Sequence, residues 1–314
     1  MQYTKKFSQI SKKSVKEAGG KGASLGEMTQ AGFQVPPGFV VLADTFEKFV
    51  KEAGIIEDIQ AELNRVNYKD TNSIDRASNV IRDIVDKSIV PKDVEDSIKK
   101  SFADLGAKFV AVRSSATAED SKTASWAGEL ETYLFVTKVN LLKQVKKCWS
   151  SLFTPRAIFY RHEKKLLNTK VSVAVVVQKM VDSSVSGVAF TVHPVTEDKN
   201  QMIIEAGLGL GESIVSGSIT PDSYVIDKKD KLIMDIAIAN QEKMMIIKGA
   251  KGGLKWQKVP KVKQEKQKLS GPKIMELSEL CLKIEKHYKH PQDIEWGMEK
   301  DKLYILQSRP ITTL

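Results

Sequence analysis

The sequence predicts an α+β protein built as two lobes, and three observations carry that expectation. The chain has 314 residues, past the roughly 250 at which single hydrophobic cores stop growing. From Thr45 to about Phe102 apolar residues recur at spacings of three and four, the period of amphipathic helices. Beyond Phe109 short apolar and β-branched runs bounded by polar residues have the pattern of strands.

Composition narrows the class. Hydrophobic residues make up 41% and charged residues 28%, an ordinary globular balance that excludes a disordered chain. No run approaches the roughly 20 apolar residues that span a bilayer, and the polar start lacks the apolar stretch of a secretory signal. Only Cys148 and Cys281 occur, which excludes a disulfide framework and a Cys-rich metal site and fits a reducing cytoplasm.

The elements follow in order. Residues 8 to 30 read as a loop entering a helix, with Gly19, Gly20 and Gly22 ahead of Ala23 and Pro36-Pro37-Gly38 closing the element. After the helical stretch, Phe109 to Val112 reads as a buried strand that delivers Arg113, with Ser114 to Thr117 as a turn. Leu130 to Val136 is a strand, and one helix is expected from about Val139 to His162. Val173 to Val177 is apolar throughout and belongs at the centre of a sheet. Further strands fall at Ser186 to Val192, Met202 to Glu205, Leu232 to Ala237 and Met244 to Ile247. The glycines from Gly207 to Gly217 form a mobile or closely approached loop, and a helix runs from about Lys273 to Tyr288. The lobe boundary falls near residues 181 to 195, giving lobes of 1–192 and 193–314.

The formal charge of +10 is densest from Lys243 to Lys268, interleaved with Gly252, Gly253 and Trp256. No nucleic-acid motif accompanies it, so the stretch reads as a solvated hairpin rather than a nucleic-acid surface.

The chain ends in a hairpin whose spacing has a chemical consequence. Folded symmetrically about Asp301, it places Glu295 opposite Gln307 and Asp293 opposite Arg309, all on one face. Glu295 and Gln307 then suit a Mg²⁺ that keeps waters and shares phosphate oxygens, with Arg309 on a phosphate. The alternative is an Asp293–Arg309 salt bridge with Glu295 in solvent. The cluster around Lys21 has the composition of a phosphate cradle or of a plain turn, and matches neither the P-loop nor the Rossmann fingerprint. Arg113 could meet a phosphate, or pair with Glu119 or Asp120. Gln178 could read an adenine edge, or be an ordinary strand-end amide. His162, His193, His287 and His290 read as structural.

Several segments together resemble the amino-terminal nucleotide-binding domain of the phosphoenolpyruvate synthase and pyruvate phosphate dikinase family, which includes rifamycin phosphotransferases. They are Gly-Gly-Lys-Gly-Ala-Ser-Leu-Gly-Glu-Met (19 to 28), Val-Pro-Pro-Gly-Phe (35 to 39) and Ala-Val-Arg-Ser-Ser-Ala-Thr-Ala-Glu-Asp (111 to 120). Ala-Gly-Glu-Leu-Glu-Thr-Tyr-Leu (127 to 134), Gly-Leu-Gly-Leu-Gly-Glu (207 to 212), Pro-Gln-Asp-Ile-Glu-Trp (291 to 296) and Leu-Gln-Ser-Arg-Pro-Ile-Thr (306 to 312) continue the series.

The resemblance implies a two-lobed ATP-grasp fold with mixed or antiparallel sheets, flanking helices and ATP in the inter-lobe cleft. It implies Lys21, Arg113, Gly128 and Thr132 around the phosphates, Gln178 at the adenine, Glu295 and Gln307 on Mg²⁺, and Arg309 on a phosphate. Lys21, Arg113 and Arg309 would be the catalytic cations. The implied reaction is a pyruvate, water dikinase: ATP is cleaved to AMP and inorganic phosphate, and the β-phosphoryl group passes to a histidine on a separate domain and onward to pyruvate. The histidine and pyruvate domains are not in this sequence, so the expectation is an excised domain or a split-gene product that carries only the nucleotide half-reaction. Rival readings are the nucleotide domain of a rifamycin phosphotransferase and an ATP-binding module without catalysis.

Overall fold

The computed structural model describes residues 1–117, 131–164, 166, 172–249 and 252–311. The chain divides into two compact units, one of Met1–Gln30 with Pro37–Met180 and one of Ala31–Pro36 with Val181–Leu314. No helix among the described residues is long and apolar enough to cross a membrane.

The first unit opens with β1 (Thr4–Lys6), α1 (Val15–Gln30) and β2 (Gly38–Val41). The helices α2 (Ala43–Glu52), α3 (Ile56–Asn64), α4 (Thr71–Lys87) and α5 (Lys92–Leu105) follow, then β3 (Val110–Ala116). β4 (Thr132–Val136), α6 (Leu141–Ser150), α7 (Pro155–Glu163) and β5 (Val173–Lys179) complete it. The strands are ordered β1-β2-β5-β3-β4, each pairing antiparallel. β5 takes the middle because Val173 to Val177 are apolar and buried on both faces. One face of the sheet, with Val110, Val112 and Val175, packs on Phe49, Ile81 and Trp149.

Three local expectations change here. The single helix expected from Val139 to His162 is two, because Pro155 lacks the N–H that would continue α6. Instead Pro155 sits in the first turn of α7, which Thr154 caps by accepting the Ala157 N–H at 3.2 Å. Ser114 to Ala116 are strand rather than turn, with Ser114 and Ser115 1% and 0% exposed. The glycine cluster lies inside α1 instead of ahead of it, and Gly19 interrupts the helix at φ 69° and ψ 174°.

The second unit holds β6 (Val185–Phe190), β7 (Gln201–Leu208), the short α8 (Glu212–Val215), β8 (Asp222–Asp227) and β9 (Leu232–Ala237). β10 (Lys243–Ile247), β11 (Leu254–Lys258), α9 (Lys261–Gln264), α10 (Gly271–Tyr288), β12 (Gln292–Glu299) and β13 (Lys302–Pro310) follow. Six strands form an antiparallel sheet ordered β13-β12-β6-β7-β8-β9, and β10 and β11 pair separately. Ile274, Leu277, Cys281 and Ile284 form the buried stripe of α10.

The Gly207 to Gly217 loop is closely approached. Leu210 N–H donates to Met245 O at 2.9 Å, and Gln241 binds both the N–H and the carbonyl of Leu208 at 2.8 and 2.9 Å. A Cβ at Gly209, whose φ is 88°, would lie 2.5 Å from Met245 O.

The basic stretch divides in two. The β10–β11 hairpin is solvated, with Lys243 opposite Lys258 and over the Trp256 ring at 4.5 Å. Lys268, expected in the same solvated face, is buried: its Nζ meets Asp222 Oδ1 at 2.9 Å, and both side chains are 0% exposed. Ala239 and Gln264 carbonyls accept further bonds from Nζ. Asp222 also accepts from Lys268 N–H, Ala239 N–H and the Tyr224 hydroxyl.

Candidate functional site

In the first unit, strand register gathers most of the sequence-selected residues onto one face. Arg113 on β3 is opposite Thr132 on β4 and Val176 on β5. Gln178 is opposite Ala111, two residues before Arg113, and opposite Gly38 on β2. Since side chains alternate along a strand, Arg113, Thr132, Gln178 and Ser115 share the face away from Val110 and Val112.

α1, which carries Lys21, is fastened to that face. Ser115 Oγ donates to Ala18 O at 2.9 Å and accepts the Gly22 N–H at 3.2 Å. A Cβ on Gly19 would fall 2.2 Å from Ser115 Oγ, so a side chain there would push the helix off the strand. The glycine cluster therefore serves close packing as well as any anion, and the Gly22 N–H is already engaged. Lys21 lies within electrostatic reach of Cys148, whose thiol burial and Glu131 push well above the usual range while Lys21 opposes them. Glu131 is held by Arg82 at 2.7 Å. Gly128 lies outside the described residues.

Gln178 is 2% exposed, and its Nε2 is buried with no hydrogen-bond partner. An unmet buried donor costs about 1–3 kcal/mol. An acceptor on a ligand would remove that cost.

In the second unit, β12 and β13 pair Asp293 with Arg309 and Glu295 with Gln307, the pairs expected from spacing. The route differs. The turn is two residues, Lys300 and Asp301, both at positive φ, rather than symmetric about Asp301. A bulge then skips Leu306, so Trp296 faces Ile305 while Glu295 faces Gln307. Ile305 and Gln307, two apart, would share a face in a regular strand; the bulge sends Ile305 to the core side and Gln307 to the polar side.

Asp293 Oδ2 accepts from Arg309 Nε and pairs with Nη2, both at 2.8 Å. The salt bridge weighed from sequence is thus present on the same face as Glu295 and Gln307. Burial raises the Asp293 pKa, Arg309 opposes it, and Glu295 raises it further. Gln307 is 7% exposed.

Sequence reasoning missed Glu205. Glu295 pairs with Val188 on β6, and Val188 with Glu205 on β7, so Glu205 lies on the Glu295 face two strands away. Burial and then Asp293 raise its pKa. The available signal was one acidic residue inside the apolar run Met202 to Ala206.

The histidines make packing or turn contacts. His162 stacks on Tyr68, His193 Nδ1 accepts the Val195 and Thr196 N–H groups, His287 meets Phe33 edge-on, and His290 contacts the Pro291 carbonyl. Among the described residues no three His, Cys, Asp or Glu side chains gather as a metal cage. Glu295 and Gln307 instead offer two oxygen donors on one face, which suits a Mg²⁺ that takes its remaining ligands from water and phosphate.

Comparison with known proteins bears on these faces. The family model of the pyruvate phosphate dikinase AMP/ATP-binding domain matches residues 15–314. A probable phosphoenolpyruvate synthase of Methanocaldococcus jannaschii is 46% identical, over 100% of this chain and 27% of that protein. One of Archaeoglobus fulgidus is 46% identical over 98% of this chain and 41% of its own length. The rifampicin phosphotransferase of Bacillus subtilis is 38% identical over 98% of this chain and 35% of its own. The chain thus spans less than half the length of each of these relatives.

Proposed function

Because the chain belongs to the pyruvate phosphate dikinase AMP/ATP-binding domain family, we propose that it binds Mg·ATP and performs the nucleotide half-reaction of a dikinase of the phosphoenolpyruvate synthase type. The reading includes the ATP-grasp fold. The observation that carries it is the β12–β13 face, where Glu295 meets Gln307 and Asp293 meets Arg309 in strand register.

In this reading Glu295 and Gln307 hold Mg²⁺, which would neutralise phosphate charge when bound. Arg309, kept in place by Asp293, orients a phosphate oxygen. Lys21 and Arg113 stabilise charge on the transferring group, Thr132 and Gly128 border the phosphates, and the buried Gln178 amide donates to the adenine ring. Phosphoryl transfer needs little covalent help from protein, so positioning and electrostatics supply the acceleration. The β-phosphoryl group passes to a histidine on a separate domain and then to pyruvate, water takes the γ-phosphoryl group to give inorganic phosphate, and AMP leaves.

The test is ATP labelled at the β-phosphate, incubated with Mg²⁺, this protein and a separately expressed phosphohistidine domain. Label on the partner together with AMP is the expected result. ATP binding without label transfer to any family partner would instead favour a non-catalytic module, and absence of ATP binding would sink the proposal. The 38% identity to a rifampicin phosphotransferase supports one alternative acceptor. Partner domains drawn from both kinds of enzyme distinguish it from pyruvate.

A further inference from the structure

Helix α7 carries a charge where its own pattern calls for an apolar side chain. Ala157, Ile158 and Arg161 lie on one side of the helix, and they are 0%, 1% and 9% exposed. Ala157 packs on Ala116 at the end of β3. Arg161 Nε is buried without a hydrogen-bond partner, and no carboxylate among the described residues pairs with the guanidinium. Burial lowers its pKa, with only the Tyr68 hydroxyl opposing. Arg65, Arg76, Arg82 and Arg309, by contrast, each hold a carboxylate. A guanidinium withdrawn from water with no counter-charge is among the least favourable groups a fold can contain, unless something else supplies the anion.

The neighbours of Arg161 are suited to an anion. Tyr68 is within its electrostatic reach and stacks on the next residue, His162, with ring centroids 3.9 Å apart and planes 10° apart. His162 Nδ1 is buried with no hydrogen-bond partner, and its ion-pair neighbour Glu163 stands 3.6 Å away. Guanidinium, phenol and imidazole, all able to donate, therefore cluster in the first unit.

We propose that Arg161, with Tyr68 and His162, forms a binding site for a phosphate group, built from residues not assigned to ATP above. The planar guanidinium fork takes two oxygens of an oxyanion. A phosphate has further oxygens for the Tyr68 hydroxyl and for a His162 ring N–H, whereas a carboxylate has only the two oxygens that the fork already engages. Inorganic phosphate and a phosphomonoester present the same oxygens, and the experiment separates them.

The protein has four histidines, so the imidazole proton resonances are few, and His162→Asn assigns the relevant one. Inorganic phosphate, methyl phosphate and acetate are titrated in chloride buffer into the wild-type protein, Arg161→Met and Arg161→Lys. The expected result is a saturable shift of the His162 resonance by phosphate, with affinity lowered about tenfold or more in both variants. The tighter of the two phosphates identifies the free or esterified source. In parallel, phosphate raises the melting temperature of the wild type more than that of Arg161→Met. A His162 resonance unmoved by either phosphate, moved equally in Arg161→Met, or moved as readily by acetate would overturn the proposal. The wild-type titration alone decides the matter if the variants fail to fold.

Discussion

Two buried cations, Lys268 in the second unit and Arg161 in the first, are answered in opposite ways. Lys268 finds Asp222 and two carbonyls, and Asp222 in turn takes three further donors. The protein itself provides every partner, so that network reads as architecture joining β8 to the segment before α10. Among the described residues Arg161 has no such shell: no carboxylate pairs with it, and its buried Nε has no hydrogen-bond partner. Burial of a charge therefore does not mark a site; an empty partner list does. Arg309 stands between them, with two donors on one Asp293 oxygen and a side chain 48% exposed.

The contrast can be broken most severely at Lys268. Lys268→Met leaves Asp222 charged in a dry environment, with its three hydrogen-bond donors but no counter-charge, and should lower stability by about 3–5 kcal/mol, read as a displaced urea midpoint. A loss below about 1 kcal/mol would mean that water reaches the pair and that the comparison with Arg161 is false.

At Arg309 the expected damage is to chemistry rather than to folding. Arg309→Ala should reduce phosphoryl transfer by about 10²–10³ with little change in melting temperature. An unchanged single-turnover rate would remove Arg309 from the mechanism.

Gln178 is the neutral counterpart of Arg161, since its buried amide donor also lacks a partner. Gln178→Met should leave stability level or slightly raised and weaken ATP binding by about 1 kcal/mol, near fivefold, in calorimetry. Equal weakening of inorganic triphosphate binding would show that the amide does not read the base.

The smallest effect belongs to Glu205. Its folded pKa is raised, so the folded state favours the neutral carboxyl, and that favourable contribution is lost as pH rises from the ordinary carboxylate range through the folded value. Glu205→Gln should stabilise at neutral pH by no more than about 0.5 kcal/mol, and the gain should vanish in acid. A gain that persists in acid would trace to packing instead.

What the sequence made legible follows a physical division. The α+β class, the central Val173–Val177 strand and the pairing of Glu295 with Gln307 depend on local period and spacing, and the residues themselves carry both. Lys268 was misread because its counter-charge sits at Asp222, 46 positions earlier in the chain. Ser114 and Ser115 have turn composition, but α1 and β5 hold them as strand. β2 and β8 were not anticipated either, although Phe39-Val40-Val41 and Tyr224-Val225-Ile226 are both strand-forming runs. Thr132 entered only through family resemblance, since it carries no signal within its own strand, whereas Gln178 stood out as the polar residue that follows the apolar run Val173 to Val177. Glu205 gained meaning once β6 and β7 were in register.

The bulge at Leu306 has a consequence for inheritance. Remove that one residue and Leu303, Tyr304, Ile305, Gln307, Ser308 and Arg309 alternate faces without interruption, each still opposite its present partner on β12. A codon lost at this point would leave the polar face intact. A codon gained on either side of Gln307 would turn the rest of the strand over and send Arg309 to the core side. The hairpin is thus tolerant of shortening and intolerant of lengthening at the same place, a one-way constraint on how this gene can change length.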